Sequence, residues 1–255
     1  MCGICGQVSF TTDLSKYESQ FYNMQNKLYS RGPDRHGEFF SQNAVLMHRR
    51  LAVVDIEKGN QPMTYAVDGA VFTLCYNGEL YNTNEIRNTL ESRGYNFFSH
   101  SDTEVVLKAY VEYREKCVDM FNGIFAFAVW EHETRRLFVA RDRMGVKPLF
   151  YSMTKSGFVF ASEIKALLEH SEIEPVIDTR SLAEIMIIGP GRTPGCGVFK
   201  GISEIRPAHY AYYDETGLTI HRYWNVEAHE HSDSFEQTAE KVRYLVTDSI
   251  KRQLV

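Results

Sequence analysis

The feature that most constrains the fold of this chain is how its apolar residues are grouped. Short apolar runs occur at Ala44–Met47, Val71–Tyr76, Ile124–Trp130, Leu137–Ala140, Leu149–Tyr151 and Phe158–Ala161. Each has the length of a strand, and most are bounded by Gly, Asn, Asp or Pro. Ile4 to Phe10, rich in β-branched and aromatic residues, predicts a strand starting almost at the N-terminus. Helical spacing lies between these runs. Tyr17, Phe21, Met24 and Leu28 mark one amphipathic helix, stopped by the loop-forming Ser30-Arg31-Gly32-Pro33-Asp34. Val105, Val106, Ala109, Tyr110 and Tyr113 share a helical face behind Ser101-x-x-Glu104, which has the form of a capping box. Shorter helices are predicted over Thr83–Ser92 and Arg180–Ile188, the second capped by Asp178 or Thr179 and stopped by Gly189-Pro190. Strands come in groups and helices come in groups, without strict βαβ alternation. This order predicts an α+β layered fold with largely antiparallel sheets, not a doubly wound nucleotide-binding sheet.

Composition narrows the setting. The 255 residues suffice for one large domain or two small ones, and a chain 44% hydrophobic and 13% aromatic buries an ordinary core. Net charge is −5 with Lys and Arg scattered, which argues against nucleic acid or an anionic membrane as partner. No apolar run approaches the roughly 18 residues that span a bilayer, and the N-terminus lacks the basic-then-apolar order of a secretory signal. The five cysteines are odd in number and irregularly spaced, so the expectation is free thiols in a reducing cytoplasm. The polar stretch Glu227–Ser234 reads as a linker. Beyond it Phe235, Ala239, Val242, Leu245, Val246, Ile250 and Leu254 keep one helical face without an obvious partner. The expected division is therefore 1–226 as the main domain, 227–234 as linker, and 235–255 as the first helix of a truncated C-terminal domain. A terminal helix docked back on the sheet is the competing arrangement.

Cys2 carries the chemistry. Amide hydrolysis needs a nucleophile, a base for its proton, and donors for the oxyanion. An N-terminal cysteine supplies the first two, because its α-amine (reference pKa about 7.7–8.0) and its thiol (about 8.5) both titrate near neutral pH. Met1 must be removed first, since an acylated amine is no base, and Cys2 followed by Gly3 suits methionine removal. Alone, a cysteine at position 2 also fits an ordinary thiol. Cys2-x-x-Cys5 as half a zinc site lacks two further ligands at sensible spacing. As a redox pair it would have to open a helix, whereas here it opens a strand. The nine histidines show no ligand spacing, so no metal is assigned.

Blocks of residues in order join this cysteine: Cys2-Gly3-Ile4, Arg31-Gly32-Pro33-Asp34-x-x-Gly37, His48-Arg49-Arg50-Leu51-Ala52-Val53-Val54-Asp55, and Tyr76-Asn77-Gly78-Glu79-Leu80-Tyr81-Asn82. Ser101-Asp102-Thr103-Glu104, Arg141-Asp142-x-x-Gly145-x-x-Pro148-Leu149 and Ala161-Ser162-Glu163-x-Lys165 follow. From residue 2 to about 225 the chain resembles the class II glutamine amidotransferase domain of glutamine-dependent asparagine synthetases. That resemblance implies the fold of N-terminal-nucleophile hydrolases, a four-layer αββα sandwich of two antiparallel sheets. It implies hydrolysis of L-glutamine to glutamate and ammonia with Cys2 as nucleophile.

The resemblance also distributes roles. Asn77, through its side-chain amide, and Gly78, through its backbone N–H, would form the oxyanion hole. Arg50 would hold the substrate α-carboxylate, for which a bidentate guanidinium is well shaped. Asp102, helped by Glu79, would pair with the α-ammonium, and the backbone of Leu51, Val53 and Val54 would line the pocket wall. Taken locally, several of these residues have plainer uses: Asn-Gly is a strong hairpin signal, Asp102 complements a helix N-terminus, and Leu51, Val53 and Val54 are strand core. Arg141, Asp142 and Lys147 are expected as structural pairs. Ser30 departs from the His common before this Arg in relatives.

In the intact synthetases of this resemblance, ammonia passes to a second domain that amidates aspartate using ATP and magnesium. No Ser-Gly-Gly-x-Asp-Ser loop and no Walker-type glycine loop occur here, so this chain is expected to need no cofactor of its own. Its expected partners are L-glutamine and the missing synthetase domain, with room for a homodimer. The rival functions are an amidotransferase of the same branch feeding another acceptor, such as a polysaccharide precursor, and a catalytically idle regulatory module.

Overall fold

Side-chain alternation along the central strands sorts the core into three layers and so dictates four layers of structure. A computed structural model describes residues 1–53, 55–188 and 191–254 of the chain. One six-stranded sheet runs in the order β10 (Ile202–Glu204), β8 (Phe150–Thr154), β9 (Gly157–Ala161), β1 (Gly3–Val8), β3 (Ala44–Arg50), β2 (Arg35–Phe40). The other, also six-stranded, runs β12 (Gly217–Arg222), β11 (His209–Asp214), β7 (Arg136–Arg141), β6 (Gly123–Glu131), β5 (Ala70–Leu80), β4 (Met63–Val67). Neighbouring strands in both sheets are antiparallel.

On β1 and β3, Ile4, Val8, Ala44 and Leu46 point between the sheets and meet Cys75, Ala126, Ala128 and Trp130 of β5 and β6. The alternate residues Cys5, Val45 and Met47 point outward to α1 (Glu18–Lys27) and α5 (Ile164–Leu167), which bring Phe21, Met24, Ala166 and Leu167. On the far side, Phe72, Leu74, Phe125, Phe127 and Val129 pack on α2 (Thr83–Ser92), α3 (Asp102–Tyr113) and the short α4 (Cys117–Met120) through Ile86, Leu90, Val106, Tyr110 and Val118. Strands covered on both faces cannot alternate apolar with polar, which is why they read as continuous apolar runs. The alternation is instead one of size: Phe125, Phe127 and Val129 face the helices, while Ala126 and Ala128 allow the two sheets to approach. Truncating one of these fully buried phenylalanines would cost about 3–5 kcal/mol.

The expected α+β sandwich is thus the one observed, and the predicted central strands and main helices are present within a few residues of their predicted ends. The unpredicted strands β2, β4, β10, β11 and β12 are short or carry an exposed, polar face. The capping box expected at Ser101 does not form. Ser101 does accept from Thr103 N, but the Glu104 carboxylate turns to the Phe98 and Ser99 backbone N–H groups and to Lys108, at 2.5 Å. The capped helix α6 (Thr179–Ala183) follows Asp178 as expected and runs into a π-helical turn over Glu184–Ile188. The stop expected at Gly189-Pro190 lies outside the described residues. Residues 223–234 carry no regular structure, and Ser234 then opens α7 (Phe235–Gln253), the helix after α6, with a complete capping box. Val242, Leu245, Val246 and Ile250 on α7 remain exposed, while Arg252 reaches Glu85 of α2 at 3.1 Å. Among the described residues no helix is long and apolar enough to cross a membrane.

Candidate active site

A short neighbour creates the site. Strand β4 pairs only with Ala70–Leu74 of β5, so the rest of β5 has no strand on that side. In an antiparallel ladder alternate residues aim their backbone groups at opposite neighbours. Gly78 stands opposite Phe125, whose N–H and C=O are both engaged with Asp142, on the far side of β6. The backbone groups of Gly78 therefore point away from β6, towards the edge that β4 leaves uncovered. Two side chains from elsewhere occupy that edge on either side of it. Tyr76 N donates to Gln61 Oε1 at 2.6 Å, and Leu80 N donates to Asp102 Oδ2 at 3.2 Å. Between them the Gly78 N–H is left facing a cavity of about 250 Å³ lined by Cys2, Arg50, Asn77, Glu79, Asp102 and Lys147 among others. That volume suits a single small metabolite. A Cβ on residue 78 would come within 2.6 Å of the Ile124 carbonyl and 2.7 Å of the Tyr76 ring, so only glycine fits.

Asn77 lies one residue earlier, mid-strand opposite Ala126, and is almost fully buried. Its Nδ2 makes no hydrogen bond among the described residues. Asn77-Gly78 is thus no hairpin turn, contrary to its local signal, because β5 continues unbroken to Leu80 on its pairing with β6. An unsatisfied amide donor this deeply buried is costly, and such groups are characteristic of functional sites.

Cys2 precedes β1 and is half-buried, its Sγ 3.7 Å from the Leu51 carbonyl. The Arg-Gly-Pro-Asp loop holds this corner. Arg31 Nε donates to the Cys2 carbonyl at 2.8 Å while Arg31 pairs with Glu163 at 3.0 Å. Gly32 packs so tightly on the end of β3 that a Cβ would lie 2.3 Å from the Arg49 backbone. Asp34 accepts from Ala52 N at 2.8 Å, fixing the segment that carries Leu51 and Val53 into the cavity wall. Val54 lies outside the described residues. Ser30 accepts from Lys165 at 3.4 Å on the surface.

Arg50 ends β3 almost fully buried, steered by the carbonyls of Ile56 (2.8 Å) and Asp55 (2.6 Å). Gly59 makes this possible, since a Cβ there would stand 2.5 Å from the guanidinium. Asp102 opens α3 and also accepts from the Tyr76 hydroxyl at 2.8 Å, so it serves both the helix N-terminus and the cavity. Burial pushes the Asp102 carboxyl up, with the Tyr76 and Leu80 bonds opposing. Burial and then the Asp102 charge push Glu79 up as well. Burial likewise pushes the Cys2 thiol up, against the Leu51 carbonyl, the Met1 amine and Arg50. The cavity is therefore polarised, since the Glu79 and Asp102 carboxyls, the Arg50 guanidinium, the Cys2 thiol, the buried Asn77 amide and the Gly78 N–H all line it.

Sequence reasoning placed Cys2, Arg50, Leu51, Val53, Asn77, Gly78, Glu79 and Asp102, and the fold gathers all of them around this one cavity. It missed Gln61, Tyr76 and Gly59, whose importance depends on β4 ending early and on the path of the 51–60 loop. Arg141 and Asp142 are structural, as expected. Arg141 donates to the carbonyls of Lys147 (2.6 Å) and Ile205 (2.7 Å), and Asp142 accepts from the N–H groups of Met144, Val146 and Lys147. Lys147 departs from that expectation, since its side chain forms no ion pair among the described residues and lines the cavity. The described residues include no cluster of three or more His, Cys, Asp or Glu side chains suited to a metal ion.

Two antiparallel sheets between helical layers, with β1 central in one of them, give the chain the four-layer fold of the N-terminal-nucleophile hydrolases. Within it, the chain belongs to the glutamine amidotransferase domain family, which matches residues 1–224. It is 51% identical over 255 residues to a Bacillus subtilis protein named asparagine synthetase [glutamine-hydrolyzing] 3, covering 100% of this chain and 42% of that protein. It is 36% identical over 173 residues to asparagine synthetase [glutamine-hydrolyzing] 2 of Oryza sativa, covering 68% of this chain and 29% of that one. The chain thus spans less than half the length of these relatives. Among solved structures, glutamine phosphoribosylpyrophosphate amidotransferase from B. subtilis shares the fold, with a TM-score of 0.55 at 18% identity over 88% of this chain and 49% of that one.

Proposed function

We propose that this domain hydrolyses L-glutamine to glutamate and ammonia with Cys2 as nucleophile, after removal of Met1. The observation that carries the reading is the convergence of the Cys2 thiol, the unsatisfied Asn77 amide and the outward-facing Gly78 N–H on one polarised cavity. Arg50 receives the α-carboxylate, Asp102 and Glu79 receive the α-ammonium, and the substrate side chain then points at Cys2. The α-amine of Cys2 takes the thiol proton as sulfur attacks the amide carbon. Asn77 Nδ2 and Gly78 N–H stabilise the oxyanion, the protonated amine returns its proton to the departing ammonia, and water hydrolyses the thioester to glutamate.

Within a longer protein the domain is the ammonia-supplying half of an asparagine synthetase. Residues 1–226 form that half, 227–234 the linker, and 235–255 the first helix of the synthetase portion, where ATP and magnesium act. The glutaminase half uses no cofactor, and the setting is cytoplasmic. The names of the relatives and the exposed apolar face of α7 support this reading.

The test is intact mass together with a glutaminase assay, with and without the glutamine analogue diazo-oxo-norleucine. The expected result is loss of Met1, ammonia release, and one inactivating adduct on Cys2. Cys2→Ala should lower turnover by on the order of 10³-fold or more. Processed protein that neither releases ammonia nor takes the label would overturn the reading.

A further inference from the structure

Lys147 is a charged cavity residue whose position the proposed reaction does not explain. Its loop is strongly built: Asp142 accepts three of its N–H groups and Arg141 grips the Lys147 carbonyl. The side chain this loop presents is 7% exposed and lines the cavity with Cys2, Glu79 and Asp102. Among the described residues the ammonium makes no ion pair, with Glu79, Asp102 or any other acid. A buried charge left unpaired is expensive, and a fold that merely needed an aliphatic stem there would be more stable with methionine.

The groups facing this corner come from every element around it: Cys2 from the start of β1, Arg31 and Asp34 from the Arg-Gly-Pro-Asp loop, Arg50 from β3, Glu79 from β5 and Asp102 from α3. Two of them, Arg31 and Arg50, are cations and Lys147 is a third; while Met1 is still present, burial and then Arg31 and Lys147 disfavour protonation of its amine, and Cys2 and Asp34 favour it. Burial, followed by Arg31, holds the Lys147 ammonium below the ordinary lysine range, while Glu79 and Cys2 favour its charged form.

We propose that Lys147 is a positioning residue for the charge state of the Cys2 centre, keeping the terminal amine unprotonated and the thiolate accessible near neutral pH. It acts through Cys2 and its amine, not by touching the amino-acid end of the substrate. The inference rests on the glutaminase reading, and its signs follow directly. A nearby cation disfavours an ammonium and favours a thiolate, so its removal raises both pKa values. The acid limb of kcat/KM then moves to higher pH, and so does the midpoint for alkylation of Cys2.

The experiment compares processed wild type with Lys147→Met, Lys147→Gln and Lys147→Arg. It records glutamine turnover against pH and, separately, iodoacetamide uptake on the Cys2 peptide against pH by mass spectrometry. Both neutral variants should move both midpoints up by about 0.5–1 pH unit with KM for glutamine little changed, and Lys147→Arg should restore the wild-type midpoints. A uniform loss of turnover with unmoved midpoints overturns the proposal, as does a change in KM alone, which would assign Lys147 to Glu79 and the substrate ammonium. Wild type that alkylates normally but does not hydrolyse glutamine sinks the glutaminase reading, while the alkylation midpoints still decide the role of Lys147.

Discussion

Strand β5 has two kinds of edge along its length. From Ala70 to Leu74 the side away from β6 is paired residue for residue with β4. Beyond Leu74 the same side meets only side chains: Gln61 caps the N–H of Tyr76, Asp102 caps that of Leu80, and Gly78 between them is uncapped. The paired half contributes stability, and its backbone groups are consumed by the ladder. The unpaired half keeps one backbone donor for a ligand, and side chains satisfy its neighbours so that the edge does not fray or pair with another strand. A backbone donor kept open this way needs only a neighbouring strand that stops early and two well-placed polar side chains.

The largest effect that could break this comparison comes from Asn77, the side-chain donor beside the uncapped N–H. Since its Nδ2 has no partner among the described residues, Asn77→Ala removes none of their hydrogen bonds to that amide nitrogen. Under the proposed reaction it should nonetheless lower kcat by about 10²–10³-fold, with thermal stability far less affected. Steady-state kinetics and a melting curve on the same sample decide the matter. Equal kcat in the two proteins would mean that the unpaired half of β5 is not an oxyanion site.

How much of this was legible beforehand follows from where each residue takes its instructions. β3 and β6 were readable because burial on both faces makes a run apolar whatever the neighbours are. β4 and β2 were not, since one exposed face leaves them polar and short. Cys2, Arg50 and Asp102 stood out through ordered blocks that resemble a known family. Asn77-Gly78 misled locally: the dipeptide favours a turn, but nine residue pairs between β5 and β6 hold the strand straight through it. Lys147 shares a sequence block with Arg141 and Asp142 and is expected, like them, as a structural partner, yet the loop those two residues build is what turns it into the cavity. Gln61 carried no signal, since a buried glutamine matters here only because the adjacent strand ends.

Gln61 gives the next test. Gln61→Leu keeps the size of the side chain but leaves the Tyr76 N–H without its acceptor and Thr103 without its 3.1 Å partner. An unsatisfied buried donor costs about 1–3 kcal/mol, so urea unfolding should show a loss of that order. The corresponding change in the paired half, Thr64→Val, disturbs a side-chain contact to Thr73 but no ladder hydrogen bond, and should cost less. If the two variants lose equal stability, capping by side chains is not what maintains the open edge.

The smallest and most diagnostic effect belongs to the Tyr76 hydroxyl, which donates to the carboxylate that caps Leu80. That bond favours the charged form of Asp102, opposing the burial that pushes its pKa up. Tyr76→Phe should therefore raise the Asp102 pKa further. The carboxylate that meets the substrate ammonium then protonates at higher pH, and the rise of KM on acidification begins earlier. Above that range the carboxylate is ionised in both proteins, and what remains is the loss of one orienting hydrogen bond. A net value of about 0.5–1.5 kcal/mol corresponds to a KM roughly 2–10-fold higher, with kcat unchanged. A pH series of KM separates the two contributions. An unshifted acid rise would mean that Asp102 is oriented by Leu80 and the α3 terminus alone, leaving Tyr76 as packing against Gly78.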